Sequence, residues 1–313
     1  MFAAFSADQI KAAEAPLLTA GVPLMQRAAF ALSLEIIKLL RARGKVRGSR
    51  VLLLVGSGNN GGDALYAGAY LAKRGVGITA VLCGAQAHGA GLAALQAAGG
   101  TAAPLAEVNL ADLVGRSSVL VDGLLGIGSR GAVRGEVASA ITQVLSALAA
   151  VPAVARPRTV AVDIPSGIGV DDGEVPGPVI PADFTVTFGA AKPGLLLPPA
   201  ALLAGEVKVV DIGISLSAPQ WPRLGAESAA ELLHPATATD HKYRRGVVEL
   251  TVGSAQYPGA GLLAVAGALG SGAGAVRFTG PEDLRSLLVS THPEVLRPVE
   301  AGGRVLPTRE KHE

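Results

Sequence analysis

The sequence predicts an α/β fold, a mostly parallel sheet covered by helices on both faces. Two observations predict it. Six short apolar runs lack polar alternation, as strands buried on both faces do: "VLLLVG" at 51, "ITAVLC" at 78, "SVLVD" at 118, "TVAVD" at 159, "FTVTFG" at 184 and "VKVVD" at 207. Helix-like segments such as 62–74 and 136–150 lie between them, and alternating β and α implies a parallel sheet in three layers.

Ser6-Ala7-Asp8-Gln9 is a capping box, so the first helix starts there and stops at Gly21. Pro23 opens a second helix. In it Leu24, Ala28, Leu32, Ile36 and Leu40 recur at helical spacing until Gly44. That stripe reads as core or as a dimer contact, which makes a homodimer the candidate assembly. The strand at 51 then ends in "VGSGNNGGDA". The strands at 118 and 159 end in Asp122, before "GLLGIGSRGAVRG", and in Asp163, which opens "DIPSG". Ligands bind at the carboxyl ends of such strands, so these three loops are expected to meet in one crevice. Residues 215–240, rich in Ser, Ala and Pro, read as a linker between a domain at 1–214 and a segment at 241–313. That segment opens with the strand "GVVELTVGS" and the helix "GAGLLAVAGALGSGAG".

Composition narrows the function. Of 313 residues, 50% are hydrophobic and 17% charged, which describes a globular chain with a large core. A net charge of +2 gives no nucleic-acid patch. A single cysteine, Cys83, excludes an internal disulfide framework and is expected to be buried. No secretory signal and no apolar run of roughly 18 residues is present, so a cytoplasmic protein without a membrane partner is expected. The five histidines show no pair at metal-ligand spacing, so no zinc site is expected.

Gly56, Gly58 and Gly61 satisfy the G-x-G-x-x-G spacing of a dinucleotide turn, yet Gly84 stands where the ribose-binding acid belongs. An ordinary dehydrogenase thereby loses its support. The loop offers backbone N–H groups to phosphate, and two carboxamides and a carboxylate to a cation or a polar ring. Plainer roles stand beside these. Asp122 and Asp163 could be caps of the turns they open, and Ser166 a turn residue. Residues 126–132 could be a bare glycine turn with Arg130 in solvent, and "DDGE" at 171–174 an exposed acidic turn. "PSGI" lacks the G-x-S-x-G form of a serine-hydrolase elbow.

"GSGNNGGDALYAGAYLAKRG", "LVDGLLGIGSRG", "VAVDIPSGIGVDDGEV", "VTFGAAKPGLLLPPAALLAGEVKVVDIGI" and the early "PLMQRAA" together resemble the NAD(P)H-hydrate epimerase family, the YjeF N-terminal domain. The resemblance covers residues 1–214 and implies a Rossmann-like fold. It also implies interconversion of the R and S forms of hydrated NADH and NADPH (NADHX and NADPHX) in nicotinamide-nucleotide repair, with K+ bound. By that resemblance Asn59, Asn60, Gly61, Gly62 and Asp63 contact the hydrated dinucleotide. Gly126, Ile127, Gly128, Ser129, Arg130, Gly131 and Ala132 wrap its phosphates, and Asp163 faces the hydrated ring. Asn60, Asp122 and Ser166 ligate the ion, for which hard oxygens are suited. A carboxylate at a strand end can move the proton that inverting a carbinolamine carbon requires, so Asp163 is expected to be the catalytic acid/base. The alternative is a non-catalytic nucleotide-binding module of the same fold.

Ala64 departs from the glycine usual after "NNGGD", with a small expected effect on the loop. "HKYRRGVVELTVGSAQYPGAGLLAVAGALGSGAGAV" resembles the opening of the ribokinase-like NAD(P)H-hydrate dehydratase domain. The G-x-G-D segment that carries that domain's catalytic aspartate is absent, and the resemblance fades at "VEAGGRVLPTREKHE". An incomplete ribokinase-like segment without dehydratase activity is therefore expected, from a truncated or frame-disrupted copy.

Overall fold

The computed structural model describes residues 2–216, 221–223, 237 and 239–296. It divides into two compact units, 1–229 and 230–313. Most of the expected linker at 215–240, and the whole of the closing "VEAGGRVLPTREKHE", lie outside the described residues.

The first unit is built on a seven-stranded sheet of β2 (Arg50–Val55), β3 (Gly77–Leu82), β4 (Thr101–Pro104), β5 (Val119–Gly123), β6 (Arg158–Val162), β7 (Phe184–Phe188) and β8 (Glu206–Val210). Its order is β4-β3-β2-β5-β6-β7-β8, and every pairing is parallel. The apolar runs have the expected cause. Along β2, Val51, Leu53 and Val55 enter one core while Leu52 and Leu54 enter the other. The first core packs under α2 (Leu24–Ala42), α3 (Asn59–Ala72) and α4 (Gly89–Ala97), the second under α5 (Leu110–Arg116) and α6 (Gly135–Ala150). The stripe Leu24, Ala28, Leu32, Ile36 and Leu40 is buried along its whole length in the first core, which decides between the two uses expected of it.

α1 (Ala7–Thr19) carries the expected capping box: Ser6 Oγ accepts from Gln9 N, and Gln9 Oε1 accepts from Ser6 N. It packs over the strand ends through Ala7 and Ile10, which touch the clusters of Ile164 and Ala190. Asp171, expected in an exposed acidic turn, is exposed and also accepts a hydrogen bond from Ala7 N at 2.8 Å. A separate antiparallel pair joins β1 (Phe2–Ala4) to β9 (Trp221–Arg223).

The second unit contains a βαβ element. β10 (Val247–Leu250) and β11 (Ala275–Phe278) are parallel, α7 (Pro258–Gly270) connects them, and α8 (Glu282–Thr291) follows. Val265, Val276, Phe278, Leu284 and Leu288 form its core. Among the described residues no single helix is long and apolar enough to cross a membrane.

Candidate active site

After β2 the chain steps outward to β3 and β4, then returns to β5 on the other side of β2. The loops after β2 and β5 therefore part company, and a crevice opens between them at the carboxyl edge. A cavity of about 700 Å³ lies there. Asn59, Asn60, Asp63, Gly126, Ile127, Gly128, Ser129 and Asp163 line it, as do Lys11, Glu14, Arg134 and Lys192.

Glycine in the first loop is a packing requirement. A Cβ on Gly56 would stand 1.8 Å from Leu124 O, and one on Gly61 would stand 2.1 Å from Gly56 O. Bare backbone lets the β2 turn pass against the loop after β5, and α3 begins at once. Its first-turn amides face the site with no side-chain cap on Gly58. Gly61 and Gly62 are buried behind the cavity wall. Ala64 is fully buried, and its methyl lies where any Cβ on Gly123 would come within 2.7 Å.

Two side chains meet at the peptide of Leu125, and Asp122 stands behind one of them. Asn60 Nδ2 donates to Leu125 O at 2.8 Å. Leu125 N donates to Ser166 Oγ at 2.9 Å, and Ser166 Oγ donates to Asp122 Oδ1 at 2.6 Å. Ser166 N donates to Asp122 Oδ2 at 2.8 Å, and Leu124 N to Asp122 Oδ1 at 3.3 Å. Asp122 and Ser166 are fully buried, and Asn60 is 5% exposed. Burial pushes the Asp122 carboxyl up, and the Ser166 and Leu124 donors pull against that. Among the described residues no cationic side chain pairs with Asp122. A buried carboxylate beside a hydroxyl, a carboxamide and a backbone carbonyl is a hard-oxygen set that suits an alkali cation. No cluster of three His, Cys, Asp or Glu that would suit a transition metal occurs among the described residues.

Asp163 directly follows β6 with φ +65°, the one positive φ of a non-glycine residue among those described. Aspartate tolerates this conformation better than most residues, at a cost of roughly 1–2 kcal/mol. Its Oδ1 accepts from Lys192 Nζ at 2.5 Å, Thr187 Oγ1 at 3.0 Å and Phe188 N at 3.2 Å. Lys192 Nζ also donates to Thr187 Oγ1 and to Phe188 O, each at 2.9 Å. Three donors thus fix Oδ1, and Oδ2 remains for a ligand.

The structure brings Asn59, Asn60, Asp63, Asp163 and Gly126–Ser129 to one hollow, with Asp122 and Ser166 directly behind it. Arg130, Gly131 and Ala132 are exposed and outside the cavity lining, where Arg134 stands instead. Lys192, Lys11, Glu14 and Arg134 are site residues that sequence reasoning missed. The lysine of "AAKPG" was the available signal for the first, a lone charge in an apolar loop after a strand.

A cavity at the switch point of a parallel sheet, walled by glycine turns and carboxyls, defines a nucleotide-handling α/β protein. The family described as YjeF-related protein N-terminus matches residues 22–194, and the chain belongs to that family. It is similar to the NAD(P)H-hydrate epimerase of Clavibacter michiganensis, 46% identical over 68% of this chain and 91% of that one. It is also similar to the bifunctional NAD(P)H-hydrate repair enzyme Nnr of Mycobacterium tuberculosis, 41% identical over 93% of this chain. The chain spans 57% of the length of that bifunctional relative. A crystal structure of the yeast protein ynu0 shares the fold, with TM-score 0.57 and 17% identity over 70% of this chain and 96% of that one.

Proposed function

We propose that the first unit is an NAD(P)H-hydrate epimerase, interconverting the R and S hydrates of NADH and NADPH at C6 of the reduced ring. The observation that carries this reading is the gathering of Asn60, Asp122, Asp163 and Ser166 at one crevice. Asp163 is the acid/base, with Oδ2 available to C6 of the reduced ring and Oδ1 held by Lys192. Such proton transfer contributes about 10²–10⁴-fold, so positioning supplies much of the remainder. The first-turn amides of α3, the 126–129 turn and Arg134 take the pyrophosphate.

Asn60, Asp122 and Ser166 would hold K+. Its charge there would offset the buried carboxylate and part of the pyrophosphate. The fit rests on the oxygen donor set and on the charge of Asp122, which no side-chain cation offsets among the described residues.

A coupled assay tests the reading. R-hydrate is mixed with a separate S-specific dehydratase, with and without this chain, in potassium and in sodium. Faster recovery of reduced-nicotinamide absorbance with the chain, greatest in potassium, is expected. No acceleration in either salt would exclude the epimerase.

A further inference from the structure

One wall of the cavity is acidic beyond what this reading uses. Asp63 of α3 is 9% exposed and lines the cavity, yet its Oδ1 has no hydrogen-bond partner among the described residues. Glu14 of α1 lines the same cavity. α1 precedes the matched family segment, and it is pinned in place. Asp171 holds Ala7 N, the capping box holds Ser6 and Gln9, and Phe5 N donates to Ala191 O at 2.9 Å, one residue before Lys192.

We propose, on the basis of the epimerase reading, that Asp63 is a second acid/base carboxyl acting across the ring from Asp163. Glu14 is its positioning partner, and inversion breaks and remakes the C6–O bond. α3 follows β2 and Asp163 follows β6, strands on either side of β5. Both carboxyls line the same cavity of about 700 Å³, which has room for a six-membered ring.

In the forward step the Asp63 carboxyl gives its proton to the C6 hydroxyl. The C6–O bond breaks, its electron pair leaves with the oxygen as water, and the N1 lone pair closes a C6=N1 double bond. Water then adds to the opposite face, and the Asp163 carboxylate takes the proton that water releases. One proton has passed from Asp63 to Asp163, nothing is oxidised, and the reverse reaction runs the same roles backwards. The intermediate iminium is a cation, and it forms in a cavity lined by three carboxyls, where negative charge stabilises it. Burial pushes the Asp63 carboxyl well above its ordinary value, and Asp163 and Glu14 push the same way, against Lys192, which is the direction an acid needs.

The first test is isotopic. R-hydrate is converted by the full chain in water enriched in heavy oxygen, and the S product is read by mass spectrometry. One solvent oxygen at C6 per inversion is expected. Inversion with the original oxygen retained, as ring opening and reclosure would give, overturns the proposal and leaves the epimerase intact. Absence of inversion would remove the epimerase reading and the proposal with it. The second test is Asp63→Asn, expected to lower kcat by about 10²–10⁴-fold with little change in KM, and to be partly rescued by Asp63→Glu. Glu14→Gln is expected to move the alkaline limb of kcat to lower pH, because Asp63 loses a neighbour that holds its proton. The remaining charged groups facing Asp63, Asp163 and Lys192, are untouched by that change. An unchanged kcat in a folded Asp63→Asn protein, or an unmoved limb in Glu14→Gln, overturns the assignment.

Discussion

Lys192 Nζ donates to Asp163 Oδ1 at 2.5 Å, with the lysine side chain 1% and the aspartate side chain 10% exposed. The pair joins residues 29 apart in sequence, across the ends of β6 and β7. Two charges withdrawn from water this far are costly, and each needs the other. Thr187 Oγ1 and Phe188 O complete the ammonium's shell, so the geometry fixes one oxygen of Asp163 and frees the second.

Removing the ammonium should therefore leave a buried carboxylate uncompensated. Lys192→Met is expected to destabilise the protein by about 3–5 kcal/mol, read by urea denaturation. Epimerisation should fall as well, because Asp163 Oδ1 loses one of its anchors. A Lys192→Met protein as stable as the parent would show that the pair contributes nothing to the folded state.

Potassium should bind where Asp122 sits. A ligand that binds only the folded state at a hundred times its Kd stabilises by about 2.7 kcal/mol. The Tm of the parent is expected to rise in potassium relative to sodium. Asp122→Asn keeps the side chain's shape and removes its charge, so that rise should shrink or vanish. A potassium-dependent Tm retained in full by Asp122→Asn would place the ion elsewhere.

Legibility followed burial. Strands β2, β5 and β6 are buried on both faces, so their side chains are apolar in succession and readable as runs. β4 escaped notice because Thr101–Pro104 is a four-residue edge strand, half exposed and closed by proline. Asp122 and Asp163 were legible because a carboxylate that ends an apolar run is out of place there. Lys192 was not, since its partner comes from another strand. Glu14 was hidden for a similar reason: on a helix with an exposed face it looks like any surface acid, and only the docking of α1 over the strand ends brings it to the cavity.

Gly56→Ala tests the crossing of the two loops that shape the crevice. The added Cβ would stand 1.8 Å from Leu124 O and 2.7 Å from Leu124 C, both backbone atoms that no rotamer change can move. Overpacking of this kind costs typically about 1–3 kcal/mol. The displaced backbone carries Asn60 on one side and Leu125 on the other, so binding of the hydrate should weaken along with stability. Calorimetric titration with the hydrate and thermal denaturation check the two effects, and a parent-like result in both would mean the loops do not approach as described.

Asp63 should make stability depend on pH in a direction opposite to that of a salt-bridged aspartate. Its folded-state value is raised well above the ordinary 3.8 by burial first, then by the charges of Asp163 and Glu14. Between the ordinary and the raised value the native protein binds more protons than the unfolded chain, so stability falls as pH rises through that window. Above the window the penalty is present in full. Below the ordinary value it disappears. A carboxamide in place of the carboxyl has no charge to bury, so Asp63→Asn is expected to be more stable than the parent at neutral pH, with the advantage shrinking as pH falls toward 3.8. Urea denaturation of both proteins across that range is the measurement. Equal stability at neutral pH would mean that the Asp63 carboxyl is solvated or paired in the folded protein. An Asp63→Asn protein that gained stability while losing kcat would show an active-site carboxyl kept at the expense of the fold.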